Sequence, residues 1–190
     1  MKRLRLVNIL SICVLLGMIQ ELSIATPLTP QKGTYLSQAN STKLRQCQFS
    51  AFVIDKDPNG LNVRSGPASN NRVIVKLPTD VPVNVDISAC QGDWLQISKA
   101  ETYDNILFQG KGWVYASLLG ISPVIYDSSG FVPLYSNPST QSTKIAKVPS
   151  QRGRLKILTG SGKWIFVEYK GLKGWLAPSN QCPIAETTCN

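Results

Sequence analysis

Few side chains in this sequence could do chemistry, and the most informative residue type is one that is missing. Among 190 residues there is no histidine. That excludes Ser-His-Asp and Cys-His relays, a His-ligated zinc site and Cys-x-x-Cys-His haem attachment. Carboxylate-pair hydrolysis needs only Asp and Glu, and Asp93 with Glu101 or Glu168 would be its candidates. No catalytic residue, metal site or cofactor is expected beyond that option. The cysteines are Cys13, Cys47, Cys90, Cys182 and Cys189, with no Cys-x-x-Cys, so a redox-active pair is not expected. The cations offer one pattern. In Arg152-Gly153-Arg154-Leu155-Lys156-Ile157 strict alternation would put Arg152, Arg154 and Lys156 on one face of a strand. Such a stripe either binds a polyanion or serves as a solvated, solubilising face.

The N-terminus carries Lys2, Arg3 and Arg5, then an apolar run from Ile9 to Ile19, then Ser23-Ile24-Ala25. A charged start, a short apolar run and a small-x-small exit are the parts of a secretory signal peptide, here residues 1–25. The run has about eleven residues where a spanning helix needs about 20. Retention as an uncleaved anchor is the alternative. Cleavage would remove three cations and Glu21, taking the charge from +9 to +7, and would leave four cysteines. An even number in an exported chain argues for two disulfides. Keeping each pair within one half of the chain gives Cys47–Cys90 and Cys182–Cys189. The protein is expected to be secreted or in the periplasm and cell envelope, with no stable membrane span after cleavage.

Residues 26–46 are rich in Thr, Ser, Gln and Pro and read as a flexible leader. Beyond them, short period-2 runs such as Val81–Ile87 and Trp94–Ile97 alternate with Asp-Pro-Asn-Gly, Ser-Gly-Pro and Gln-Gly-Asp turns. This pattern implies antiparallel strands with one buried face. The chain also repeats itself. Pro67, Ile74 and Leu77-Pro78 recur 71 residues later as Pro138, Ile145 and Val148-Pro149. Trp94-Leu95-Gln96-Ile97 recurs as Trp164-Ile165-Phe166-Val167, and Gly112-Trp113-Val114 as Gly174-Trp175-Leu176. The drop in offset places about eight extra residues of the first copy within 99–109. The organisation is therefore 47–120 and 121–190, two copies of one small β domain. The four tryptophans are expected to fill the cores, one ring being a candidate for a ligand groove.

Leu61-Asn62-Val63-Arg64-Ser65-Gly66-Pro67, followed by Gly92-Asp93-Trp94-Leu95-Gln96-Ile97 and Gly112-Trp113-Val114, resembles the bacterial SH3-like (SH3b) domain family. The second copy departs at the signature, with Gly130-Phe131-Val132-Pro133-Leu134-Tyr135-Ser136-Asn137-Pro138, and looks like a diverged SH3-like domain. The resemblance implies two tandem SH3-like small β-barrels that bind and do not catalyse, in a protein that engages the cell wall (peptidoglycan). Within the signature, Gly66-Pro67 is read as a tight turn, with Gly free to take positive φ. Asn62 and Arg64 share a strand face. Arg64 either covers the barrel rim or offers its guanidinium fork to a ligand carboxylate. Trp113 and Tyr115 complete the candidate groove.

Charge is unevenly spread. Residues 26–46 carry +3, residues 47–120 carry −1, and residues 121–190 carry +5. The signature-bearing copy is nearly neutral and the diverged copy is the basic one. The expected function is an exported non-catalytic module binding cell-wall peptide or glycan, with an anionic envelope polymer as a further candidate partner. Nucleic acid is excluded by export. The alternative is a protein-interaction or structural module of the envelope.

Overall fold

The computed structural model describes residues 42–125, 129–150 and 154–184. The expected signal peptide, most of the expected leader, Arg152 and Cys189 lie outside the described residues. Among the described residues there is no α-helix, and none is long and apolar enough to cross a membrane. The expectation of an all-β chain holds.

A first set of strands comprises β1 (Arg45–Val53), β2 (Leu61–Arg64), β3 (Val73–Leu77), β4 (Asn84–Gln91), β5 (Trp94–Glu101), β6 (Ile106–Tyr115) and β7 (Leu119–Pro123). A second set follows, with β8 (Phe131–Tyr135), β9 (Lys144–Pro149), β10 (Leu155–Ser161), β11 (Trp164–Tyr169), β12 (Leu172–Leu176) and β13 (Gln181–Cys182). One-turn 3-10 segments, Ala116–Leu118 and Pro178–Asn180, precede β7 and β13. β1 takes in the last two residues of the expected leader, Arg45 and Gln46. The extra residues of the first copy lengthen the β5–β6 hairpin: its strands have 8 and 10 residues, against 6 and 5 in β11 and β12.

Pairing repeats along with sequence. β2–β3 pairs Leu61 with Leu77, Asn62 with Lys76 and Arg64 with Val73. β8–β9 pairs Val132 with Val148, Pro133 with Lys147 and Tyr135 with Lys144, each offset by 71. The register slips at the same place in both, just before Arg64 and just before Tyr135. The loops that follow match too: Ser65 N–H donates to the Arg72 carbonyl as Ser136 N–H does to Thr143, at 2.9 Å each. Both glycines of the Gly-Trp motif are required by close approach. A Cβ on Gly112 would collide with Val63 Cγ1, and one on Gly174 would come within 2.7 Å of Leu134 Cβ. Only glycine lets β2 and β8 cross there. Gly66 is different from expectation. It is not among the positive-φ residues; its constraint is the Asn71 side chain, which a Cβ would meet at 2.8 Å.

The boundary expected at 120/121 falls inside β7. This strand pairs with β1 through Leu119 and Gly120, with β10 through Gly120 and Ile121, and with β13 through Ser122 and Pro123. It closes the first set and opens the second. The result is one continuous sheet, not closed, in the order β3-β2-β6-β5-β4-β1-β7-β10-β11-β12-β8-β9, with β13 on β7. One apolar cluster runs through it, from Leu61, Val85 and Leu95 across Leu119 and Ile121 to Leu134, Leu155 and Ile165.

The disulfide Cys47–Cys90 forms as expected, with Cα atoms 5.8 Å apart. It also lies against the second set: a Cβ on Gly160 would sit 3.1 Å from either sulfur. Beside it Arg45 donates to the hydroxyl of buried Thr159 (2.9 Å), which donates to the Gly92 carbonyl (3.0 Å). A buried hydroxyl bonded as donor and acceptor avoids the cost of an unmet polar group. Cys182 is disulfide-bonded too; Cys189, its expected partner, lies outside the described residues.

Candidate functional site

Trp94 opens β5 and Tyr115 ends β6, and the hairpin register sets them directly opposite each other. Their rings meet edge to face, 5.5 Å apart at 67°, a favoured aromatic geometry. The Ala116 N–H donates to the Asp93 carbonyl at 2.8 Å, tying the end of β6 to the turn before β5. Tyr115 remains 40% exposed. These rings form one wall of a cleft of about 660 Å³, whose other lining includes Asp55, Asp57, Asn62, Arg64, Pro67 and Leu118.

The sequence-predicted residues Asn62, Arg64 and Tyr115 thus come together. The alternation of β2 explains it: Leu61 and Val63 are fully buried, while Asn62 and Arg64 face the cleft. Arg64 donates from one guanidinium nitrogen to the Asn71 carbonyl (2.8 Å), closing the 65–72 loop, and its other N–H groups are not spent on that bond. The Asn62 Oδ1 is buried with no hydrogen-bond partner. Trp113 is not among the lining residues. It is only 7% exposed and packs inward, as Trp175 does at 0%. The second tryptophan of each pair is core, and the first, Trp94 or Trp164, is half-buried at the surface.

Sequence reasoning missed Trp94 as a cleft residue, and missed Asp55 and Asp57 altogether. The signal was present in Asp55-Lys56-Asp57-Pro58-Asn59-Gly60, a turn sequence whose acids lie just before the signature strand. Asp57 accepts from the Asn59 backbone N–H (2.9 Å) and side-chain amide (3.0 Å). Those bonds, with a weaker pull from Lys76, hold its carboxyl below the usual aspartate range.

The second set contains a matching cleft of about 800 Å³, lined by Ile125, Phe131, Pro133, Tyr135, Lys144, Lys147 and Asn180 among others. The predicted basic stripe lies elsewhere. Arg154 and Lys156 are exposed while Leu155 and Ile157 are buried, as alternation requires; Arg152 lies outside the described residues. Arg154 stacks over the Phe52 ring at 5.6 Å. Lys156 faces Glu168 across β10–β11, and Glu168 also pairs with Lys173 at 3.7 Å. An acid therefore sits among these cations.

The remaining carboxylate candidates do not converge. Glu101 is ion-paired with Lys99, Glu168 with Lys173, and Asp93 sits in the β4–β5 turn. No group of metal-ligating side chains occurs among the described residues.

Residues 59–120 match the family model described as a bacterial SH3 domain. The match runs from the turn before β2 into β7. No curated protein matches the chain. Solved structures similar to it include NlpC2 from Trichomonas vaginalis (18% identity, TM-score 0.30, covering 72% of this chain and 49% of that one), and NlpC1 from the same organism (16%, 0.30, 74% and 48%). This chain spans about half the length of either. A likeness at that identity and TM-score carries neither fold detail nor function across.

Proposed function

With residues 59–120 matching a bacterial SH3 domain, we propose that the protein is an exported, non-catalytic binding protein whose first cleft takes cell-wall peptide. One observation carries the reading. The open Trp94–Tyr115 pair stands beside Asn62, the guanidinium of Arg64 and the acids Asp55 and Asp57. That set suits a ligand presenting amide N–H, free amine and carboxylate together, with short apolar side chains against the rings. The Cys47–Cys90 disulfide and the N-terminal signal pattern support residence in an oxidising compartment outside the cytoplasm. The second set is read as a diverged copy of the same domain, on the strength of its repeated strand register.

The test is co-sedimentation of the exported chain with isolated cell-wall sacculi, alongside Tyr115→Ala. Retention that falls about tenfold or more in the variant is expected, since a central aromatic anchor typically carries about 2 kcal/mol or more of binding. An unmodified chain that stays in the supernatant would sink the proposal. A protein-docking role has its own observation, the lengthened β5–β6 hairpin with Tyr103 99% and Ile106 60% exposed. In that case cross-linking in cells gives one dominant protein adduct, lost on shortening residues 102–105.

A further inference from the structure

The two clefts share the wall formed by β2 in one set and β8 in the other, and among the described residues their linings differ in charge. In the first, the charged lining residues are Asp55, Asp57 and Arg64. In the second, β8 and β9 substitute position by position at the shared offset of 71. Pro133 stands for Asn62, Tyr135 for Arg64 and Lys144 for Val73. Lys147 stands for Lys76, but the two differ in setting. Lys76 acts on Asp57 and is not among the first cleft's lining residues, whereas Lys147 faces the second cleft. Among the described residues, that lining carries two cations and no anion, and neither lysine has an ion-pair partner.

The remainder of the second cleft is amphipathic. Phe131 is 51% exposed, Pro133 and Tyr135 form a rigid apolar floor, Ile125 lies at its side, and Asn180 supplies amide polarity. Asn180 is fixed by its own amide, which donates to the Val124 carbonyl at 2.9 Å. A bare polyphosphate would use the lysines and waste the apolar floor. An acidic peptide with apolar side chains would use both, its carboxylates on Lys144 and Lys147 and its side chains on Phe131 and Pro133. We infer that the second cleft is a separate binding site for an acidic, apolar-bearing peptide segment. This does not depend on which ligand the first cleft takes.

The experiment is calorimetric titration of the full exported chain with an N-acetylated, C-amidated peptide of alternating Glu and Leu. Its Lys–Leu counterpart and sodium polyphosphate are run beside it. The Glu–Leu peptide should bind, and Lys144→Gln/Lys147→Gln should weaken it about tenfold, two partly exposed charge pairs being removed together. Phe131→Ala should weaken it severalfold. Lys156→Gln/Lys170→Gln, an equal charge loss outside the cleft, should change it less than twofold, and Tyr115→Ala should leave it unchanged. Near-UV circular dichroism matching the unmodified chain establishes that each variant is folded. The inference is overturned by absence of Glu–Leu binding, by equal weakening from the two lysine doubles, or by polyphosphate binding as tightly with Phe131→Ala silent. The last result would mark a generic polyanion surface.

Discussion

The two halves of the sheet keep a half-buried tryptophan at the same strand position and give it a different tyrosine. Trp94 meets Tyr115, which comes from the end of β6; Trp164 meets Tyr135, which comes from the end of β8, where the first half has Arg64. The position of Tyr115 is Ala177 in the second half, and it is buried. The edge-to-face contact survives at nearly the same separation, 5.5 and 5.6 Å, with the tyrosine moved by one strand. The move closes the second pair: Tyr135 is 7% exposed and joins a small cluster with Phe166, Trp175 and Ala177. What the repeat preserves is whatever the crossing strands require, including the glycines before each core tryptophan. What it releases is the cleft lining, where a side chain faces water or ligand and no neighbour dictates its type.

The comparison can be broken most decisively at the junction. Replacing Cys47 and Cys90 by Ser opens a cross-link spanning 43 positions and should cost about 4 kcal/mol on a chain-entropy estimate. Because β7 and the apolar cluster belong to both halves, denaturant unfolding followed at the tryptophans of each half should remain one transition at a lower midpoint. Two resolved transitions would show that the halves fold separately. The tyrosine exchange comes next. Tyr135→Ala should destabilise by about 3 kcal/mol, as truncation of a buried aromatic does. Tyr115→Ala, at an exposed position, should cost less than about 1 kcal/mol and act on sacculus binding instead. Equal costs would remove the distinction between an open and a closed pair.

The smallest effect lies at Asp57. Its folded-state carboxyl is held below the unfolded value, so the ionised form favours the fold. That contribution is present above the unfolded pKa and is lost as pH falls through the folded one. The Asp57 carboxyl, followed by NMR, should titrate below the ordinary aspartate range, and Asn59→Ala should move its midpoint upward by removing the side-chain donor. A midpoint unmoved by that change would mean that Asn59 does not hold the charge in the first cleft. The second cleft has no aspartate among its described lining residues to respond in this way.

Much of this architecture was legible in one dimension because it is written in local periodicity. Alternation in Leu61-Asn62-Val63-Arg64 fixed which side chains enter the core and which reach the cleft, and the offset of 71 anticipated the register of β8–β9. Keeping each cysteine pair within one half of the chain anticipated the Cys47–Cys90 bond without any coordinates. Other features depended on contacts between residues far apart in the chain, which no local pattern encodes. Trp94 and Trp113 look equivalent as letters, yet Trp113 is buried while Trp94 forms a wall of the cleft. Gly66 read as a turn residue, yet its constraint is the side chain of Asn71 packed upon it. The boundary drawn at Gly120 divided a strand that pairs on both of its edges. Backbone hydrogen bonding is indifferent to sequence, so which edges β7 would satisfy, and hence that two repeats would share one sheet and one core, was decided by tertiary structure alone.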